Sequence, residues 1–308
     1  MRSKSSIILK FHLHLKGLKF LTVAMGVFLS MYACSGVAER KQENDNSIEH
    51  CWDKYDFTDT LLTAKPEVIE PLLKDYLIRL SELTEEEACG SLRKLVARTK
   101  VDERLNRWLL QRLEHYLYEP DSPLRNDNYY ISVLEEALST GYVKGMMRVR
   151  PLYQLKMLRK NQAGSKATDI HFTLSSGKTE NLWRVTAAYT LLLFYDPSCA
   201  HCQEPIRQLT GSPVIETLLS RGGDVAARLA LVTICTEGDM DVWKEFQKFL
   251  PSTWVNGYDA RNELMESEAY FLRSLPAIYL LGEDKQVLLK EASIDEVINY
   301  LLNEYDNI

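Results

Sequence analysis

Cysteine is scarce in this sequence, and only two of its six cysteines lie close together. Cys199 and Cys202 form the one Cys-x-x-Cys pair, and the others stand alone at positions 34, 51, 89 and 235. A structural zinc site built on such a pair needs a second pair or two suitably spaced histidines, and no second pair exists. The pattern therefore favours a redox-active dithiol over a zinc site.

Basic residues are also in short supply after the amino terminus. The 308-residue chain has 37 lysines and arginines against 43 acidic residues, which gives a formal charge of −6. Five of the basic residues and none of the acidic ones fall in the first 33 positions, so the rest of the chain carries −11. No large surface is left to neutralise phosphates, which argues against nucleic acid as a partner.

The amino terminus is typical of an export signal. Its basic residues run to Lys19, and Phe20 to Ala33 is uncharged, mostly apolar and too short to span a bilayer. The small residue before Cys34 resembles a bacterial lipobox, and this resemblance implies cleavage before Cys34 and attachment of a diacylglycerol to its sulfur. We therefore expect residues 1–33 to be a lipoprotein signal peptide. A plain signal peptide or an uncleaved signal anchor is the alternative.

Two parts follow the signal before the Cys-x-x-Cys region. Residues 34–50 are mostly polar and charged, which indicates a tether between anchor and folded protein. From Lys65 to about Lys160, apolar residues recur at helical spacing. We predict an all-α domain over residues 51–163, with Trp52 and Phe57 pinning its start onto the core.

The periodicity changes after residue 163. The elements predicted after this point follow the order strand, helix, strand, helix, strand, strand, helix. A hairpin near His171 comes first, and a capping box at Ser293 opens the last helix. A further helix is predicted over Asn262–Leu275. This part is expected to be an α/β domain with a central mixed sheet.

The Cys-x-x-Cys pair follows a predicted buried strand, Tyr189–Tyr195, and a short turn. If Cys199 opens a helix, free backbone N–H groups and the positive end of the helix dipole stabilise its thiolate. Cys202 then lies one turn along the same face, close enough to close a disulfide. We predict that Cys199 attacks a partner disulfide and that Cys202 resolves the mixed disulfide. A degenerate module that keeps the cysteines without turnover is the alternative.

The order of elements resembles thioredoxin, and so does Ser274-Leu-Pro-Ala before a strand. In thioredoxin-like folds a cis proline occupies the place of Pro276 and faces the disulfide. Proline tolerates the cis bond and supplies no N–H, which leaves the preceding backbone, here Leu275, free to pair with a substrate peptide. The alternative is that Pro276 only opens an edge strand.

From about Ala167 onward the chain resembles the TlpA/ResA-like group of membrane-tethered, thioredoxin-fold thiol–disulfide oxidoreductases. The segments that fit are Asp241-Val-Trp-Lys, Asn256-Gly-Tyr-Asp and Leu275-Pro-x-x-Tyr-Leu-Leu. The preceding part resembles an uncharacterised domain of Bacteroidales-type lipoproteins. The resemblance implies a thioredoxin-like domain over residues 164–308 and a lipid-anchored, periplasm-facing protein of a Gram-negative envelope. Protein thiols are then its partners, and with the disulfide as redox centre no cofactor or metal is expected.

The sequence departs from thioredoxin around the pair. Ser198 replaces the usual tryptophan, and Leu193 stands where thioredoxin has a buried aspartate that helps deprotonate the second thiol. The base for Cys202 is therefore unassigned, and Asp196 and Glu204 are candidates by sequence proximity alone.

His201 resembles the dipeptide histidine of oxidising or isomerising members. A cationic or dipolar group beside Cys199 stabilises the reduced form and makes the disulfide a stronger oxidant. We therefore expect a couple less reducing than that of thioredoxin. The alternative is that His201 is an exposed helix residue without a redox role.

Two other classes of function remain open. Cys199, His201 and Cys202 are suitable ligands for Cu(I), as in a metallochaperone. The second alternative is an interaction protein whose helical domain binds a partner and whose thiols are vestigial.

The remaining cysteines are expected to have no catalytic role. Cys51 and Cys89 form either a disulfide or two separate thiols. Cys235, within an apolar strand, is expected to be an inert core thiol.

Overall fold

The computed structural model describes residues 48–139, 141, 143–220, 228–237 and 239–306. The expected signal peptide, the lipidation site Cys34 and nearly all of the tether lie outside these residues. Both predicted domains, 51–163 and 164–308, fall within one compact unit formed by residues 45–308. Among the described residues, no helix combines the length and the apolar character needed to cross a bilayer.

The amino-terminal half is helical, as predicted. Local capping explains where its helices begin: Thr84 and Glu87 form a reciprocal capping box before the third helix, and Asp102 caps the fourth. The six helices described in this half are α1 Thr60–Ala64, α2 Glu70–Arg79, α3 Glu85–Arg98, α4 Glu103–Leu117, α5 Asp127–Ser139 and α6 Val149–Leu158. A short 3-10 turn, Ile48–His50, precedes α1, and others lie between the helices at Pro66–Ile69, Leu80–Glu82, Thr99–Val101 and Gly145–Arg148.

The core of the helical half includes one residue from the other half. Trp52 and Phe57 are buried in it, as predicted, and Trp52 packs edge-on against Tyr76 with ring centroids 5.3 Å apart. Phe271, more than a hundred residues further along the chain, belongs to the same cluster and is 8% exposed. Burying a phenylalanine side chain contributes about 1.5–3 kcal/mol, so the two halves stabilise each other.

The carboxy-terminal half is a seven-stranded mixed sheet with flanking helices, which confirms the predicted fold class. The strand order is β2-β1-β5-β4-β3-β6-β7. The strands are β1 His171–Leu174, β2 Thr179–Asn181, β3 Tyr189–Tyr195, β4 Leu229–Cys235, β5 Val255–Tyr258, β6 Ala277–Leu281 and β7 Val287–Lys290. The helices are α7 Ala200–Thr210, α8 Pro213–Leu219, α9 Met240–Phe246, α10 Glu263–Glu266 and α11 Ile294–Asp306.

Strand β3 lies near the middle of the sheet, parallel to β4 and antiparallel to β6. Its apolar run is continuous because both faces are covered. Leu191 and Leu193 belong to one core, and Leu192 and Phe194 belong to the core on the opposite face. The strand is thereby fixed in position up to its last residue, where the segment with the two cysteines begins.

The helix predicted over Asn262–Leu275 is wrong for most of its length. Only Glu263–Glu266 is helical, and residues 267–276 form an irregular segment, here called the proline loop. Glu268 has a positive φ of 48°, which a regular helix excludes. Beyond it, Tyr270 belongs to a core of the sheet and Phe271 to the core of the helical half. A single helix could not bury these two neighbouring side chains in different cores, so the segment forms a loop instead of a helix.

Strand β5 was not predicted as a strand, and it contains a glycine at a point of close approach. A Cβ atom added at Gly257 would lie 2.6 Å from Cδ2 of Phe172 and 3.0 Å from Cδ1 of Ile234. Both neighbours are buried, so neither can move without disturbing the core. Gly257 therefore allows β5 to pass under Phe172.

We expect Gly257→Ala to lower the free energy of unfolding by about 1–3 kcal/mol through overpacking. Gly90→Ala is the matched control, because Gly90 lies within α3 with no atom within 4 Å of an added Cβ. That substitution should raise stability by about 0.5–1 kcal/mol. Urea unfolding of the two variants measures both changes, and a neutral Gly257→Ala would contradict the packing described.

Candidate active site

A tight turn connects the end of β3 to α7. The Asp196 carboxylate accepts hydrogen bonds from the backbone N–H and the hydroxyl of Ser198, each at 2.8 Å. The Asp196 carbonyl accepts from the Cys199 N–H at 3.1 Å. Side-chain capping by aspartate is a common way to fix such a turn. This turn places Cys199 directly before Ala200, the first residue of α7.

Cys199 faces the proline loop. Its backbone is extended, with φ −78° and ψ 111°, and its side chain makes no capping bond to α7. The thiol is partly exposed and its S–H donates to the Leu275 carbonyl, with Sγ and oxygen 3.7 Å apart. The sulfur is therefore open to solvent on one side and in contact with the loop backbone on the other.

Cys202 lies one turn further along α7 and is 1% exposed. Burial raises the pKa of its thiol to about 12, while a hydrogen bond from the Asp196 backbone N–H opposes the shift. The neighbouring Cys199 raises the pKa further. The pair thus consists of one accessible sulfur and one buried thiol that is neutral at physiological pH.

The peptide bond between Leu275 and Pro276 is cis, the isomer that the resemblance to thioredoxin-like folds leads one to expect. Pro276 directly precedes β6, and Ala277 pairs with Phe194 of β3. The antiparallel pairing therefore brings the start of β6 beside the end of β3. As a result, Cys199, Cys202, Leu275 and Pro276 lie together at one edge of the sheet.

Comparison with known proteins agrees with this architecture. The crystal structure of a thioredoxin-like protein from Bacteroides caccae is 31% identical, with a TM-score of 0.79, and the match covers 91% of this chain and 99% of that one. The chain belongs to this family of thioredoxin-like proteins. A profile described as a domain of unknown function (DUF5106) matches residues 36–161. A search of curated proteins found no match.

Shorter solved structures match less than half of this thioredoxin-like chain. The C-terminal domain of an uncharacterised protein from Bacteroides fragilis is 36% identical over 46% of this chain and 98% of its own, with a TM-score of 0.43. The thioredoxin domain of a thiol–disulfide oxidoreductase from Bacteroides vulgatus is 19% identical over 46% of this chain and 97% of its own, with a TM-score of 0.40. These two matches carry no argument about function.

The other predicted site residues lie around the pair. His201 is exposed on the first turn of α7. Of the two carboxylates considered as a base for Cys202, Glu204 is exposed and bonded to Arg207 and Gln208. Asp196 is the one whose charge acts on the Cys202 thiol.

Two residues near the thioredoxin-like site were not singled out in the sequence. Tyr195 ends β3 with a fully buried side chain, and the charges of Cys235 and Cys202 contribute, after burial, to raising its pKa. Arg273 is buried in the proline loop and bonded to residues of both halves. The apolar run that predicted β3 includes Tyr195, but nothing local in the sequence marks Arg273.

The remaining described cysteines are free thiols. Cys89 donates to the Asn128 carbonyl at 3.6 Å, and burial raises the pKa of Cys51 to about 11, so the two are separate in this structure. Cys235 is fully buried at the end of β4, donates to the Glu237 carbonyl at 3.0 Å and has a pKa raised to about 12 by burial. It is a core thiol, as predicted.

The copper-binding alternative names Cys199, His201 and Cys202 as ligands. Within the described parts of the chain, no group of three or more histidine, cysteine, aspartate or glutamate side chains is arranged to hold a metal ion. These three side chains therefore do not form a preformed three-ligand site.

We expect iodoacetamide at neutral pH to alkylate Cys199 in the reduced protein and to leave Cys202 unmodified. The reason is that Cys202 is buried and its pKa is raised to about 12. In Cys199→Ser, the part of the shift that Cys199 causes is lost, but burial is the largest cause and remains, so labelling of Cys202 should still be slow at neutral pH and should rise only at alkaline pH. Peptide mass spectrometry reads both sites, and equal labelling of the two sulfurs at neutral pH would contradict the assignment.

Proposed function

We propose that this protein is a thiol–disulfide oxidoreductase of the cell envelope that exchanges its Cys199–Cys202 dithiol or disulfide with cysteines of exported proteins. The observation that carries the proposal is the contact between the Cys199 sulfur and the Leu275 carbonyl, 3.7 Å apart and adjacent to cis Pro276. Cys202 lies one turn further along α7 and is buried. An accessible nucleophile, a resolving thiol and a peptide-binding backbone are thereby combined.

In the reducing direction, the Cys199 thiolate attacks one sulfur of a substrate disulfide. A Cys199–substrate bond forms, the substrate disulfide breaks, and the first substrate thiolate leaves and takes up a proton. Cys202 then loses its proton and attacks the Cys199 sulfur. The second substrate thiolate is released, the protein is left with a Cys199–Cys202 disulfide, and two electrons have passed to the substrate. Oxidation of a substrate dithiol is the reverse sequence.

The proline loop orients the substrate. Pro276 has no N–H, so its backbone neither competes for nor blocks the hydrogen bonds of an incoming extended chain. The Leu275 carbonyl, which accepts the Cys199 S–H in the unbound protein, is in position to accept a substrate backbone N–H instead. Binding would then free the sulfur for attack and bring a substrate disulfide to it in the same step.

A location outside the cytosol suits this chemistry. Disulfides persist in oxidising compartments and need catalysts there to form, break and rearrange. We propose that a lipid on Cys34 anchors the protein in the envelope, facing the periplasm, with protein thiols and disulfides as its partners. The dithiol is itself the redox centre, so the proposal requires no cofactor or metal.

Cys202→Ala should accumulate mixed disulfides on Cys199, because the resolving sulfur is gone. Non-reducing electrophoresis of purified variants with native, disulfide-bonded insulin or with unreduced cell extract measures the trapped species. A double variant that also carries Cys199→Ser is the control and should trap nothing. If the wild type itself reduces no disulfide and Cys199→Ser leaves every phenotype unchanged, the thiols are vestigial and the alternative of a redox-inactive interaction protein is favoured.

We expect a reduction midpoint above the value of about −270 mV typical of thioredoxin. His201 is exposed and close to Cys199 in the sequence. A cationic or dipolar group there favours the reduced form. His201→Ala should therefore shift the midpoint to a more negative value. Equilibration with glutathione buffers measures both midpoints; a wild-type value as low as that of thioredoxin and unmoved by the substitution would remove any redox role for His201.

A further inference from the structure

The helical half holds the proline loop at several points. Phe271 lies in the core of the helical half and stacks on Tyr118, with ring centroids 6.3 Å apart. The Ala269 carbonyl accepts a 2.9 Å hydrogen bond from Asn161, which follows the end of α6. The segment that precedes cis Pro276 is thus held in part by residues outside the sheet.

Arg273 connects the proline loop to the helical half through its guanidinium group. Its side chain is 5% exposed, and its guanidinium donates to Asp127 at 2.9 Å, to Glu291 at 2.6 Å and to the Tyr118 carbonyl at 3.2 Å. The same group lies 5.2 Å from the ring centroids of Tyr118 and Phe271. Arginine is suited to this position because its rigid, planar fork serves several acceptors at fixed angles.

Two further cations complete the cluster. Lys290, the last residue of β7, pairs with Asp127 at 3.0 Å, and Arg125 donates to the Glu291 carbonyl at 3.1 Å. The cluster therefore joins three segments: the start of α5, the proline loop and the end of β7. Buried charges are destabilising unless their partners are closely placed, so the cluster tolerates little displacement of Arg273.

We propose that Arg273 is a positioning residue through which the helical half, by way of Asp127, fixes the backbone of Leu275 and Pro276 against Cys199. Only Ser274 separates Arg273 from Leu275, whose carbonyl contacts the Cys199 sulfur. This inference rests on the proposed function and extends it. It assigns the helical half a part in binding substrates that present an extended peptide chain beside their disulfide.

The test is Asp127→Asn in the full chain, which removes one charge from the cluster and keeps the side chain's size. Glu136→Gln is the matched control. Glu136 lies on the same helix, is 20% exposed against 19% for Asp127, and pairs at 3.1 Å with Lys100 of the helical half. The two variants lose the same charge at similar burial, but only Asp127 contacts the proline loop.

Two disulfide substrates distinguish a positioning role of the cluster from general damage to the protein. Insulin presents its disulfides on a polypeptide backbone, whereas hydroxyethyl disulfide has no backbone to pair with Leu275. We expect Asp127→Asn to lower kcat/KM for insulin by about tenfold, chiefly through KM, and to leave reduction of hydroxyethyl disulfide within about twofold of wild type. Glu136→Gln should change neither rate. Equal losses on both substrates, equal losses in both variants, or no loss at all would overturn the inference.

Hydrogen exchange gives a readout that does not depend on activity. Asp127→Asn should speed exchange in residues 267–276 and leave α7 unchanged, while Glu136→Gln should leave both as in the wild type. Unchanged exchange in the loop overturns the inference even if the enzyme is active. A wild type that reduces neither disulfide overturns the proposed function itself, whatever the exchange shows. If Asp127→Asn does not fold, Arg273→Lys replaces it, because lysine keeps the charge and loses the fork.

Discussion

The site depends on the pairing of β3 with β6. In the antiparallel register Ala277 lies opposite Phe194. The segment that leads from the end of β3 to the cysteines therefore begins beside Pro276, the residue before β6. Both strands are buried on two faces and have little freedom to move. The contact between the Cys199 sulfur and the Leu275 carbonyl depends on this register. The register itself is fixed, because a shift of one residue would turn every side chain of β6 to the opposite face.

The two halves of the protein are not independent at this site. In many two-domain proteins the interface is polar and the domains move relative to each other. Here an aromatic side chain from the proline loop completes the core of the helical half, and a buried arginine from the same loop is bonded to the start of α5. The helical half, the region matched by a domain of unknown function, is therefore a structural support of the loop that faces the dithiol.

Much of the sheet half was predictable from local patterns. The apolar run ending at Tyr195, followed by a turn and a Cys-x-x-Cys pair, predicts β3 and α7 because a strand buried on both faces has no polar alternation. Capping residues marked α3 and α11 in the same way. The proline was recognised only by resemblance to thioredoxin, since nothing in the local sequence distinguishes a cis from a trans Leu275–Pro276 bond.

The parts that the sequence did not predict depend on distant contacts. Residues 267–276 have apolar residues at helical spacing, but these side chains are buried in two different cores, so the helix is replaced by a loop. Arg273 and Asp127 are 146 positions apart and carry no local signal of their ion pair. Strand β5 was missed because Asn256-Gly257 is typical of a turn, whereas here the glycine relieves a close approach to Phe172.

The most direct test of the account is to map the disulfide that forms when the purified protein is equilibrated with oxidised glutathione and digested without reduction. The account predicts a single intramolecular bond, between Cys199 and Cys202, with Cys51, Cys89 and Cys235 recovered as free thiols. Mass spectrometry of the linked peptides identifies the pairing. A disulfide that links Cys202 or Cys199 to any other cysteine, or a pair that stays reduced while other cysteines oxidise, would contradict the central claim that these two sulfurs form the redox centre.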